Sequence, residues 1–153
     1  MKDNGVKIIA VNRKASYEYF LQEFFEAGLS LLGTEIKSIR RNSCNIKEAY
    51  VVVRNGEAYI INMHIGEYKE ANIFNHEPYR TRKLLLHKKE IIRLASKTKE
   101  EGITLIPTKL YLKNGKAKLE FALAKGKKLY DKREDSKQKS MVKEARKYAK
   151  EKY

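Results

Sequence analysis

Arg80, Arg82 and Lys83 crowd into one short stretch, and Arg13-Lys14 and Arg40-Arg41 form two further cationic pairs, with Lys37 one turn before Arg40. Cations at this density suit backbone phosphates, and Tyr17, Tyr19, Tyr50, Tyr59 and Tyr79 lie among them as flat rings on which an exposed base could stack. The competing reading of an aromatic is core packing, which is the expectation for Phe20, Phe24, Phe25 and Phe121. Other chemistry lacks residues. His64, His76 and His87 are scattered, with no cysteine partner and no i,i+4 spacing, so no metal site is expected. Gly28-Leu29-Ser30-Leu31-Leu32 opens like a nucleophile elbow but lacks the closing glycine. No glycine-rich loop cradles a phosphate. Asp131 stands near Glu134 and Asp135, where so many lysines make local charge balance the simpler account. No catalytic residue, cofactor or small-molecule substrate is expected.

The chain has 153 residues and a formal charge of +15. From Lys125 onward, 12 Lys and Arg against 5 Asp and Glu leave +7, and residues 1–124 carry the other +8. Both parts are basic, which fits one polyanionic partner touching both. The expected organisation is one folded domain over 1–124 and a basic tail over 125–153, joined at Gly126. Lys125, Lys127, Lys128, Lys132 and Arg133 cannot be core, because burying unpaired charge is too costly, and Lys137, Lys139, Lys143, Arg146 and Lys147 continue the basic tail. They face water or a polyanion. Met141, Ala145, Tyr148 and Lys152 recur at helical spacing, so the tail is expected to be disordered alone and helical on a partner. Cys44 is the sole cysteine, which suits a reducing cytosol, and no apolar run approaches a membrane span. A monomer is expected.

The elements that must position these residues read as mainly β. Val6–Val11 is a first strand, and Ser16 is placed to cap one helical turn through Tyr19. Leu21 to Leu32 fits a long strand. Gly33 to Arg41 fits a short helix capped by Thr34, with its cations in the last turn. Asn55-Gly56 between the runs Asn45–Val53 and Glu57–Met63, and Asn114-Gly115 between Ile103–Lys113 and Ala117–Ala124, predict two hairpins. Residues 66–82 read as a long loop. Leu84-Leu85-Leu86 is expected to open a helix running from His87 to about Glu101 and ended by Gly102. Pro107 marks an edge or bulge. About six strands with two or three helices predict a small closed antiparallel β-barrel of oligonucleotide-binding type.

Several stretches can then be compared with a known family. Asn-Arg-Lys-Ala at 12–15, Glu-Tyr-Phe at 18–20 and Phe-Glu-Ala-Gly-Leu at 25–29 resemble the SsrA-binding protein (small protein B) family. So do Gly33 to Arg40, Asn55 to Tyr59, Arg80 to His87 and Ala124 to Arg133. The seven stretches come in the family's order and span nearly the whole chain. The resemblance implies an adaptor that binds the tRNA-like domain of transfer-messenger RNA and enters stalled ribosomes, with its tail in the small-subunit decoding centre and message channel. It places Asn12, Glu26, Leu85 and His87 at the RNA-binding face. Gly126, Lys127, Lys128, Asp131, Lys132 and Arg133 match the tail motif, and Tyr130 stands where many relatives carry His. A carboxylate repels phosphate, so Glu26 at an RNA face would accept from base or 2′-hydroxyl donors and confer specificity. Two other readings compete: a general single-strand-binding barrel and a basic ribosomal structural protein.

Overall fold

A computed structural model describes residues 5–71 and 74–127. Its elements run β1 (Val6–Val11), α1 (Ala15–Glu18), β2 (Tyr19–Leu29), α2 (Gly33–Arg40), β3 (Cys44–Asn45), β4 (Tyr50–Arg54), β5 (Glu57–Ile61), β6 (His64–Ile65), β7 (Arg82–Leu85), α3 (Lys88–Lys97), β8 (Ile103–Lys113) and β9 (Lys116–Gly126). Seven strands form one antiparallel sheet in the order β1-β8-β4-β5-β7-β2-β9, and β8 also pairs with β9. Strands β8, β4, β5, β7, β2 and β9 therefore return on themselves as a ring, with β1 added at the outside of β8. A separate pair, β3 and β6, makes a two-stranded sheet.

Both Asn-Gly hairpins are present. Asn55 and Gly56 have φ of 51° and 74°, and Asn114 and Gly115 have φ of 52° and 79°. Two successive left-handed residues match the twist of the flanking strands, and asparagine and glycine adopt that region at least cost. The second turn sets the longest ladder, from Lys113 opposite Lys116 to Ile103 opposite Lys125, with a bulge between Pro107 and Lys109.

The core lies inside the ring. Phe25 and Phe121 face each other across β2 and β9, their rings stacked with centroids 5.6 Å apart. Leu84, Leu105, Leu110 and Leu119 are wholly buried around them, each side chain contributing about 1.5–3 kcal/mol through burial. Phe20 and Phe24, expected in the core, are exposed instead. Phe25, Ala27 and Leu29 claim the inner face of β2, so period-two alternation turns Phe24 outward.

Local expectations change at four places. Leu84 and Leu85 do not open a helix: they end β7, which pairs with β5 and β2, and His87 becomes the N-cap of α3. Thr34 does not cap α2. The Glu35 carboxylate accepts from the Leu32 N–H at 2.8 Å, while the Thr34 hydroxyl bonds His76 Nδ1 at 2.9 Å. Ser16 lies inside α1, whose N-cap is Lys14. Within the expected strand Asn45–Val53, regular structure resumes only at Tyr50.

Strand β9 runs to Gly126, past Ala124. Lys125 and Gly126, assigned to the tail, complete β9 opposite Phe20 and Tyr19. The Lys127 N–H then donates to the Glu18 carbonyl at 2.9 Å, and its ammonium donates to the Ser16 carbonyl at 3.0 Å, 4.8 Å from the Phe20 ring centroid. Lys128, Tyr130, Asp131, Lys132, Arg133, Lys137, Lys139, Lys143, Arg146 and Lys147 lie outside the described residues.

Candidate RNA interface

One groove of about 750 Å³ brings together Glu26, Lys83, Leu85 and His87. Three elements supply these residues, and Lys118 of β9 and Glu57 of β5 complete the lining. β2 supplies Glu26 and Gly28, β7 supplies Lys83 and Leu85, and the start of α3 supplies His87 and Lys88. Gly28 opposes Leu85 in the β2–β7 ladder, and a Cβ at Gly28 would lie 3.3 Å from the Leu85 Cβ. Glycine there lets β7 sit close while Leu85 stays 53% exposed. An exposed leucine flanked by cations offers an apolar contact that a phosphate cannot use.

Glu26 is exposed, yet its carboxylate is held. One oxygen accepts a short hydrogen bond from the Tyr111 hydroxyl, and the other lies 3.8 Å from the Lys113 ammonium. Burial and the Glu26 carboxylate both push the Tyr111 hydroxyl pKa up, so the phenol keeps its proton and stays the donor. A fixed carboxylate with lone pairs to spare can accept from amino or hydroxyl groups, and it discriminates against ligands without them. Lys83 pairs with Glu57 at 3.1 Å across the β5–β7 edge, both side chains partly exposed. The His87 N–H donates to Glu90 at 3.2 Å.

The remaining expected residues divide. Arg13 and Lys14 are exposed where β1 turns into α1, and neither makes an ion pair among the described residues. Asn12, between β1 and that turn, is only 7% exposed. Its amide donates to the Pro107 carbonyl at 3.0 Å, and its Oδ1 has no partner among the described residues. Asn12 thus ties β1 to the β8 bulge. Lys37 and Arg40 are exposed on α2, outside the lining of the groove, and the Lys37 ammonium lies 5.4 Å from the Tyr68 ring centroid.

Arg82 is a correction. Its charge marks it for phosphate in the sequence, but it is fully buried, with its guanidinium bonded to Glu35 and to the carbonyls of Met63 and Pro78. A side chain with no exposed surface cannot reach a phosphate. Arg80 also binds Glu35, at 2.6 Å, but stays about one-third exposed. Burial alone would raise the Glu35 carboxyl pKa. Hydrogen bonds from Arg80, the Leu32 N–H and Arg82 outweigh it and hold the group below its ordinary range.

Lys118, Lys88 and Tyr111 belong to this surface and are absent from the sequence reading. The Asn114-Gly115 turn carries the missing signal. With Lys113 opposite Lys116, two-residue steps put Tyr111 opposite Lys118 and Lys109 opposite Glu120 on one face.

The family model described as SmpB protein matches residues 9–151. The chain belongs to the SmpB family. An SsrA-binding protein of Bacillus cereus (strain ATCC 10987 / NRS 248) is 56% identical over 144 residues, covering 94% of this chain and 93% of that protein. Another, from Geobacillus thermodenitrificans (strain NG80-2), is 56% identical over 138 residues, covering 90% and 89%. A solved structure described as "tmRNA-SmpB: a journey to the center of the bacterial ribosome" superposes with a TM-score of 0.67 at 40% identity, covering 82% of this chain and 92% of that one. The SmpB match, over residues 9–151, extends well beyond the described residues.

Proposed function

We propose that this SmpB-family chain is the RNA-binding adaptor of trans-translation. It holds the tRNA-like domain of transfer-messenger RNA and carries it to ribosomes stalled on messages without stop codons. One observation carries the reading: the groove places a fixed carboxylate, Glu26, beside an exposed leucine, Leu85, with His87, Lys83, Lys88 and Lys118 around them. Phosphates need the cations, whereas a carboxylate and a leucine serve base and ribose groups, so this mixture suits one folded RNA better than any polyanion. The relatives named as SsrA-binding proteins and the tmRNA-SmpB structure support it.

On this reading Arg13, Lys14, Lys37, Arg40 and Arg80 supply further phosphate contacts. The ring of strands acts as a closed barrel of oligonucleotide-binding type. The segment beyond Lys127 is the ribosome-directed tail, with Lys128, Asp131, Lys132 and Arg133 acting in the decoding centre and the message channel. The protein contributes no reaction chemistry; peptide transfer belongs to the ribosome. Its place is the cytoplasm, where translation occurs.

The test is recovery of the protein from cells with its bound RNA. Transfer-messenger RNA should be the dominant species, and purified protein should prefer the tRNA-like domain to an equal length of single strand. Equal affinity for both would instead make the chain a general single-strand binder. Constant residence on every ribosome would make it a structural ribosomal protein.

A further inference from the structure

Beside the groove, on the same outer face, lies a second concavity of about 460 Å³ bordered by Val11, Asn12, Arg13, Phe24, Lys109 and Glu120. The two sites meet through one rung of the sheet, because Glu26 of the groove and Glu120 of this cavity are direct partners across β2 and β9. Lys109 and Val11 continue that rung across β8 and β1.

Phe24 gives the cavity its character. It is 53% exposed, and its cross-strand partner is Ala122, too small to cover a ring. Its neighbour Phe25, not Phe24, stacks on Phe121 in the core. Two cations border it, Arg13 and Lys109, and neither has an ion-pair partner among the described residues. Glu120 uses one carboxylate oxygen to accept from the Thr108 hydroxyl at 2.6 Å, which fixes the group while leaving its other oxygen unpaired among the described residues. A flat apolar surface, two free cations and one oriented acceptor within a single cavity match the parts of a nucleotide in turn: base, phosphate, and an amino or hydroxyl donor.

We propose that this cavity is a subsite for one unstacked nucleotide of the RNA held in the adjoining groove. The base stacks on Phe24, Arg13 and Lys109 take its phosphate, and Glu120 accepts from a base or 2′-hydroxyl donor. The subsite rests on the RNA-binding reading of the groove. A protein partner fits less well, since the apolar lining of Val11, Leu21 and Phe24 is bordered by two cations that a basic ribosomal protein would oppose.

The chain contains no tryptophan, so Phe24→Trp introduces a unique reporter at the site. Titration of the full-length variant with the tRNA-like domain of transfer-messenger RNA should quench its emission in step with binding measured by gel shift. Ile92→Trp, on the exposed side of α3, should stay bright. Phe24→Ala should weaken binding about tenfold, within the range for loss of one base–aromatic stack, and should leave the salt slope unchanged because no charge is removed. Phe24→Tyr should restore binding and Phe24→Leu should not, which separates stacking from mere bulk. Unquenched emission from the Phe24→Trp variant in a complex that shifts on the gel would overturn the subsite. So would a Phe24→Ala chain that binds RNA normally, or one that keeps the RNA but no longer associates with stalled ribosomes. If the unsubstituted chain does not bind this RNA, the reading of the groove falls first and the subsite with it.

Discussion

Arg82 and Glu35 form an ion pair with neither side chain exposed to solvent. In a chain of charge +15, one arginine is withdrawn from the surface to join α2 to β7. Its other nitrogens bind the Met63 and Pro78 carbonyls, so the same group also anchors the chain around Pro78 just before β7. β7 carries Lys83 and Leu85 into the groove, and the buried pair thereby sets the position of one wall of the proposed RNA site.

Removing one partner of that pair leaves the other charge buried and uncompensated. Glu35→Ala should cost about 3–5 kcal/mol, read as a large fall in the denaturant midpoint. Replacing Arg82 alone should cost a similar amount, and the two changes together should cost clearly less than their sum. Additive losses would show that the pair does not act as a unit.

The same carboxylate shapes the acid limb of stability. Its folded pKa is depressed below the ordinary value of 4.5, so its contribution is complete above that value. It is lost as pH falls through the lower, folded value. Melting temperature should therefore drop steeply below about pH 4.5 in the parent chain, and Glu35→Gln should start lower and show a flatter decline. Parallel acid limbs would refute the assignment.

Affinity and specificity should separate within the groove. Lys83→Ala and Lys118→Ala should each flatten the log–log salt slope by about one. Glu26→Ala should leave the slope alone and lower discrimination against other RNAs. Tyr111→Phe keeps the ring but removes the donor that fixes Glu26, so it should reproduce part of that loss and add little to Glu26→Ala. If Tyr111→Phe discriminates as well as the parent, the carboxylate does not depend on its partner.

Truncation after Lys127 preserves β9 and the contacts of Lys127 with Ser16 and Glu18. Such a chain should melt within a few degrees of the full protein and bind transfer-messenger RNA with similar specificity, yet fail to support tagging of stalled polypeptides. Loss of the cooperative transition would place part of the tail in the folded unit. Normal tagging would remove its proposed role in decoding.

What could be read from residues alone followed how local the cause was. Both Asn-Gly turns were legible because asparagine and glycine announce positive φ without help from the rest of the chain. β7 was not, because Leu84-Leu85-Leu86 fits a helix as well as a strand and only its partners β5 and β2, far away in sequence, decide. Arg82 looked identical to Arg80 and Lys83, since charge density says nothing about which cation meets a buried Glu35. Phe24 and Phe25 separate only once β2 is known to place Ala27 and Leu29 inward. The family's motifs single out Glu26 and His87 as expected RNA contacts, but only β2, β7 and α3 show that the two line one groove.

The groove owes its wall to strands from the two ends of the described fold. β2 begins at Tyr19, and its long partner β9 ends at Gly126. A chain leaving the ribosome can make the Asn55-Gly56 hairpin as soon as it emerges, because that pairing is local. The ring must wait for a contact about a hundred residues apart, which carries most of the loop-closure cost and is slow by its nature. An incomplete nascent chain that lacks β9 therefore has Glu26 on an unpaired edge and a groove without Lys118. The groove proposed for RNA is complete only after the β9 residues through Gly126 have been synthesised.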